Sequence, residues 1–289
     1  MSKYQINLFD ELFRNSLNVY SFDSCSDGVE PKYHEYVRDQ LNFDGITIFT
    51  DHYIGSSIVD SVDCDVKIAW LVEPRCIHPW TYETIKHHAH KFDYVFTHDA
   101  ELLKQSDRET AWVKQIIASS RIKPEDQKIY PKTKLLSIIA SNKTQAPGHQ
   151  LRHQVIKELK ERNIECDVYG TGYKPFESKL EPLKDYAFTI AIMNQKSDNF
   201  FTEVLTDCFL CGTIPIFWGC PNIGEWFERY GIISFNRFED ILPILQNETL
   251  IMDYIIHLEF VKKNFEIAKK FVSTDDLLFE NIKQLGLIE

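Results

Sequence analysis

Long apolar runs are missing from these 289 residues, and the longest, such as 187–193 and 214–218, fall far short of the roughly 20 residues that cross a bilayer. An integral membrane segment is therefore not expected. The opening stretch, MSKYQINLFDELFRNS, lacks the basic start and apolar centre of a secretory leader, which points to a soluble, cytoplasmic protein. A basic excess is missing too. Lys and Arg number 32 against 43 Asp and Glu, a formal charge of −11, so the mean field repels nucleic acid and anionic membranes, and an anionic ligand needs a local basic patch. The seven cysteines are odd in number and scattered, as reduced thiols are, so no disulfide framework is expected. Cys208-Phe-Leu-Cys211 has redox spacing but falls late in a helix near its apolar face, whereas redox pairs sit at helix N-termini; it reads as two buried thiols. Repeats and low-complexity segments are absent, and no G-x-G-x-x-G follows an early strand, which speaks against an NAD-type dehydrogenase or epimerase.

What is present suffices for two packed cores. The composition is 44% hydrophobic, and the length accommodates two domains of about 130 to 150 residues. In the first half, Gly45 to Thr50 and Val66 to Val72 are strand-like, Trp80 to His90 is helical, and Phe92 to Thr97 is a strand before a short helix from Asp99. The stretch from Ser119 to Thr133 loses periodicity and reads as a linker. A second series follows: a strand from Lys134 to Ala140, a helix from about His149 to Arg162, and a strand from Ile164 to Tyr169 that opens into Gly170-Thr171-Gly172-Tyr173. Further on come a short strand from Gly231 to Phe235 and a helical tail from Met252 to about Val272. The pattern predicts an α/β protein of two Rossmann-like domains facing across a cleft, residues 1–130 binding an acceptor and residues 131–289 a donor.

The most informative stretch is Tyr186 to Asn222. It reads as strand, polar loop, helix and strand, with candidate N-caps in the loop from Asn194 to Asn199, Thr202 and Glu203 in the first helical turn, and Gly212 as the stop. Ligands of such βαβ units bind beyond the carboxyl ends of the strands, where helix N-terminal amides favour anions. A carboxylate at Glu203 is a poor phosphate neighbour. It is suited to accepting hydrogen bonds from sugar hydroxyls, which points to a nucleotide-sugar, although a lone acidic residue there more often just complements the helix dipole.

Ser141-Asn142 followed by Arg152, then Asn194, Thr202-Glu203, Gly212-Thr213-Ile214-Pro215-Ile216 and Trp218-Gly219 resemble the donor-domain signature of the α-1,3/1,4-fucosyltransferase family. That signature runs as a strand ending in Ser-Asn, a helical Arg, a Glu-Asn-Ser segment, Thr-Glu-Lys, and a Gly-Thr-(Ile/Val)-Pro strand. The resemblance covers Lys134 to about Phe235 well and the first half loosely. It implies the two-Rossmann GT-B architecture and an inverting transfer of fucose from GDP-fucose to a glycan hydroxyl without an essential metal or other cofactor. Ser141, Asn142, Lys143, Arg152, Asn194, Thr202 and Glu203 would then hold the donor, with Arg152 on the pyrophosphate, a pairing its fork of donors fits. Two departures stand out. Val204 occupies the lysine of Thr-Glu-Lys, and Met193-Asn194-Gln195 replaces Glu-Asn-Ser, so a different nucleotide-sugar or a weakly active or non-catalytic binding protein stays open.

An inverting transfer needs a base for the acceptor hydroxyl. Glu73, ending the strand VKIAWLV before Pro74-Arg75, matches the family's N-domain Glu near a Pro; a loop carboxylate paired with Arg75 is the competing reading. Arg75, His78 and Trp80 are candidates for the acceptor surface. No metal site is expected: His87-His88-Ala89-His90 and the pair His149 and His153 lack a carboxylate in a recognised spacing, and Asp63-Cys64-Asp65 precedes its strand and reads as a turn.

Overall fold

A computed structural model describes residues 3–11, 13, 21–26, 28–105 and 110–288, so part of the N-terminal stretch read above for a leader lies outside the described residues. The chain divides into two compact units, Met1–Ser119 with Ser273–Glu289, and Ser120–Val272. The first contains β1 (Tyr4–Phe9), β2 (His34–Arg38), β3 (Asn42–Thr50), α1 (Ile58–Ser61), β4 (Asp63–Trp70), α2 (Pro79–His88), β5 (Tyr94–Thr97) and β6 (Ala111–Lys114). The second contains β7 (Lys134–Ile139), α3 (Pro147–Glu161), β8 (Asp167–Tyr169), β9 (Tyr186–Ile192), α4 (Glu203–Leu210), β10 (Ile214–Trp218), β11 (Ile233–Ser234), α5 (Phe238–Leu245), α6 (Leu250–Ile256) and α7 (Leu258–Ala268). The last helix, α8 (Thr274–Gln284), returns to the first unit.

Each unit is built on a parallel sheet, ordered β2-β1-β3-β4-β5-β6 in the first and β11-β10-β9-β7-β8 in the second. Parallel strands are covered on both faces, which is why β9 is buried at every position and reads as a continuous apolar run. In both sheets the winding reverses beside the first strand of the unit, between β1 and β3 and between β7 and β9. A doubly wound sheet opens a crevice at such a reversal, beyond the carboxyl ends of the two strands.

The boundary and the tail differ from the sequence reading. The division falls between Ser119 and Ser120 rather than at residue 130, and residues 273–289 belong to the first unit. The cause is α8, whose Leu278 and Ile282 pack among Ile6, Leu8, Ile46 and Ile68. Its Asp275 is fully buried and accepts hydrogen bonds from Ser24 Oγ, the amides of Cys25 and Ser26, and Tyr36 Oη at 2.9 to 3.0 Å. An apolar helical stripe states that a sheet is covered but not which one. The tail is also broken into α6 and α7, which meet at His257. Three strands escaped the pattern: β1, and the edge strands β2, which is short and largely polar, and β6, which is only four residues long. Asp63 and Cys64 pair with Asn42 and Phe43, so Asp-Cys-Asp opens β4 instead of forming a turn, at the amino end of the strand.

Candidate functional site

The crevice between β7 and β9 is closed by a tight approach of α3. A Cβ on Gly148 would lie 1.7 Å from the carbonyl oxygen of Met193, and the Gly148 amide donates to Asn194 O at 2.9 Å. Only glycine lets the first turn of α3 rest on the end of β9. One turn on, Arg152 Nη2 donates to the Ile192 carbonyl and, at 3.4 Å, to Asn194 Oδ1. The structure thus brings Arg152 and Asn194 together at the reversal point. Burial lowers the Arg152 pKa to about 10, opposed by the nearby charge of Glu203, and the guanidinium remains cationic at neutral pH.

Thr202 is the N-cap of α4, its Oγ1 accepting the Val204 amide at 3.4 Å, and Glu203 is the first helical residue. Burial works against ionisation of Glu203, but Lys179, Arg121 and the Thr202 hydroxyl outweigh it and hold the carboxyl below its usual range. Three cations therefore act on one half-buried carboxylate in a chain of charge −11. Lys179 and Arg121 were missed because neither lies in a motif; the long connection from β8 to β9 and the entry to the unit deliver them. One turn below Glu203, the buried Asp207 accepts from Ser120 Oγ at 2.9 Å and the Arg121 amide at 3.0 Å, and burial pushes its pKa up to about 7.

Ser141, Asn142 and Lys143 follow β7. Ser141 Oγ accepts the Lys143 amide at 3.4 Å, Lys143 is exposed, and its carbonyl meets His153 Nε2 at 2.9 Å. Asn142 borders an open pocket of about 510 Å³ with Thr144, Gln150, His153, Gly172 and Tyr173, five residues that the sequence reading did not assign to the donor. Lys196 is held by Asn236 Oδ1 at 2.8 Å. Cys208 and Cys211 are buried free thiols, and burial pushes Cys208 up to about 12.

In the first unit the reversal point carries acids. Asp10 follows β1 and accepts Thr50 Oγ1 at 2.6 Å; Asp51 follows β3, is buried, and accepts the Val72 and Glu73 amides at 3.1 and 3.2 Å. Burial pushes Asp51 up to about 7. Glu73 lies just beyond β4 and is half-buried, with its carbonyl accepting from Tyr82 Oη at 2.7 Å. Arg75 forms an ion pair with Asp99 at 2.9 Å, lies 3.7 Å from Glu83 and 3.6 Å from Glu101, and covers the Tyr82 ring. An arginine so engaged is a poor acceptor contact and a good brace for α2. His78 is half-buried and Trp80 exposed at the start of α2. Among the described residues no group of three or more His, Cys, Asp or Glu could hold a metal ion, and His88 Nδ1 is placed 2.9 Å from Thr84 O.

Residues 129–264 match the model of the glycosyltransferase family 10 (fucosyltransferase) C-terminal domain. A fucosyltransferase-like protein of Arabidopsis thaliana is 28% identical over 40% of this chain, and the α-(1,3)-fucosyltransferase FucT of Helicobacter pylori 26% identical over 50%. The aligned stretches span 23% and 27% of those two proteins, about a quarter of their length. Crystal structures of α1,3-fucosyltransferase superpose with TM-scores of 0.54 (with GDP; 98% of this chain, 90% of that one) and 0.53 (with GDP-fucose; 93% and 90%), both at 14% identity. A likeness at that identity shows the fold, which is GT-B. The Ser-Asn, Arg152, Thr-Glu and Gly-Thr-Ile-Pro residues at the strand ends lie within or beside the stretch that is similar to the family 10 fucosyltransferase C-terminal domain, residues 129–264.

Proposed function

We propose that the protein is an inverting, metal-independent glycosyltransferase that moves a sugar, fucose from GDP-fucose, to a glycan hydroxyl. The observation that carries this reading is the meeting of Arg152 and Asn194 at the reversal point of the second sheet, with Glu203 opening α4 beside them. Arg152 binds the diphosphate, supported by the charges of Lys179 and Arg121, and Glu203 accepts hydroxyls of the nucleotide-sugar. Glu73 takes the proton of the acceptor hydroxyl as its oxygen attacks the anomeric carbon. The bond from that carbon to the diphosphate oxygen breaks on the opposite face, and the leaving charge passes to the diphosphate held by the cations. GDP-fucose is supported by the relatives named as fucosyltransferases and by the superposed structures with GDP and GDP-fucose.

Val204 favours a second reading, a transferase for another nucleotide-sugar or a weakly active binding protein, because the signature places a lysine there. Calorimetric titration with GDP, GDP-fucose, GDP-mannose, UDP-glucose and UDP-galactose, with and without a chelator, decides between them. Selective, chelator-insensitive binding of GDP compounds is expected. UDP selectivity would move the reading to another donor, and loss of binding with the chelator would remove metal independence.

A further inference from the structure

His52, His78 and Trp80 form a compact aromatic group that the transfer chemistry leaves unused. Their ring centroids lie 4.8 Å (His52 to His78), 5.0 Å (His52 to Trp80) and 5.9 Å (His78 to Trp80) apart. The group is not core. Trp80 is 39% exposed and His52 is exposed, whereas the same helix buries Thr81, Tyr82 and Ile85. Nor does it resemble a metal site, since two imidazoles without a third ligand among the described residues do not make one.

The connection to Glu73 gives the group its meaning. Two segments fix the main chain of Glu73, and each contributes a ring. The segment after β3 sends Asp51 inward to the Val72 and Glu73 amides and His52, the next residue, outward to the rings. The helix α2 sends Tyr82 Oη to the Glu73 carbonyl and presents Trp80 two residues earlier, beside the half-buried His78. His78 in turn is folded back by its amide onto Pro74 O at 3.1 Å, within the turn that Glu73 enters. Glu73 and the rings are thus held by one set of anchors, at the carboxyl edge of a parallel sheet.

We propose that Trp80, with His52 and His78 packed against it at interplanar angles of 42° and 31°, is a stacking surface for a pyranose ring, the subsite for the acceptor sugar whose hydroxyl Glu73 deprotonates. Aromatic faces are electron-rich, and the axial C–H bonds on one face of a pyranose present a weakly positive apolar surface to them. An open-chain polyol has no such face. Among its residues, His52 was not singled out by the sequence. The proposal rests on the glycosyltransferase reading for its meaning, but the stacking itself is measured without donor.

Saturation-transfer NMR on the full chain, with methyl β-D-galactopyranoside and methyl β-D-glucopyranoside as probes and glycerol as the control, tests it. Transfer confined to the protons of one pyranoside face, and none to glycerol, is expected. Trp80→Ala should weaken pyranoside binding about fivefold to tenfold and His52→Ala about threefold, while Trp80→Phe keeps most of the affinity. Calorimetry with GDP-fucose should show unchanged donor binding in all three variants, and the acceptor KM should rise. No transfer to either pyranoside, or equal affinity in wild type and Trp80→Ala, overturns the platform, as does equal loss in Trp80→Phe and Trp80→Ala. Pyranoside stacking in a protein that binds no nucleotide-sugar leaves the platform standing and removes the donor assignment instead.

Discussion

The two units share one winding but not the side chains at its reversal point: an arginine stands there in the second, and buried carboxyls in the first, one of them, Asp10, 3.8 Å from Arg38. Between β7 and β9 the second unit gathers Arg152 with Asn194, and Lys179 and Arg121 add their charges around Glu203. Between β1 and β3 the first unit buries Asp10 and Asp51, and Asp51 in turn fixes Glu73 on the neighbouring strand. Topology alone therefore opens a crevice in each, and the side chains at the strand ends decide what it receives. A cationic crevice receives a diphosphate; an acidic one suits a group that takes up a proton. The units differ in continuity as well, because the second is one stretch of chain and the first is completed by α8.

The largest expected effect breaks the acidic side. Glu73→Gln should slow transfer by about 10²–10⁴ while GDP-fucose affinity by calorimetry stays within twofold, as removal of a general base does; wild-type turnover would take Glu73 out of the chemistry. On the cationic side, Arg152→Ala should lose about 10²–10³ in kcat/KM together with donor binding, and Arg152→Lys should recover little because an ammonium lacks the planar fork. Transfer at the wild-type rate in either variant would move the diphosphate elsewhere.

A smaller effect sharpens the contrast in continuity. His34 is buried in the first unit, stacks on Phe279 of α8 with centroids 5.5 Å apart, and has neither ring nitrogen hydrogen-bonded among the described residues. Burial lowers its pKa from 6.5 to about 4, helped by Lys3 and opposed by Asp275. The unfolded chain therefore binds the proton first: the contribution of His34 to stability is complete above pH 6.5 and declines as pH falls through 4. Urea unfolding should show wild type losing about 3 kcal/mol relative to His34→Phe across that window. Parallel pH profiles would mean that the imidazole reaches solvent. Smallest is Val204→Lys. A cation restored to the first turn of α4 should improve GDP-fucose affinity by about tenfold or less, since the helix dipole opposes it by about 0.3–1 kcal/mol. An unchanged Kd would show that Arg121 and Lys179 already fill that electrostatic role.

Much of the second unit was legible. The runs that became β9 and β10 are buried almost throughout, β7 and α3 each bury one part, and Asn194, Thr202 and Glu203 stand at element ends with Arg152 early in α3. The first unit was less so. Its edge strands β2 and β6 carry polar residues on the exposed side, and Asp51 and His52 sit in a three-residue helical turn without any motif. Asp63-Cys64-Asp65, taken for a turn, shows the limit of local propensity: pairing with Asn42 and Phe43 draws two acids into a strand.

The sequence by itself determined the α/β class, the two-domain plan and which residues stand at the strand ends of the second unit, because periodicity, helix caps and glycine stops act over a few neighbouring positions. Tertiary structure alone decided that α8 completes the first unit, that Lys179 and Arg121 act on Glu203, and that Asp51 and Tyr82 brace Glu73. Those pairings join residues far apart along the chain. Their strength comes from burial and distance, which exist only once the sheets have formed.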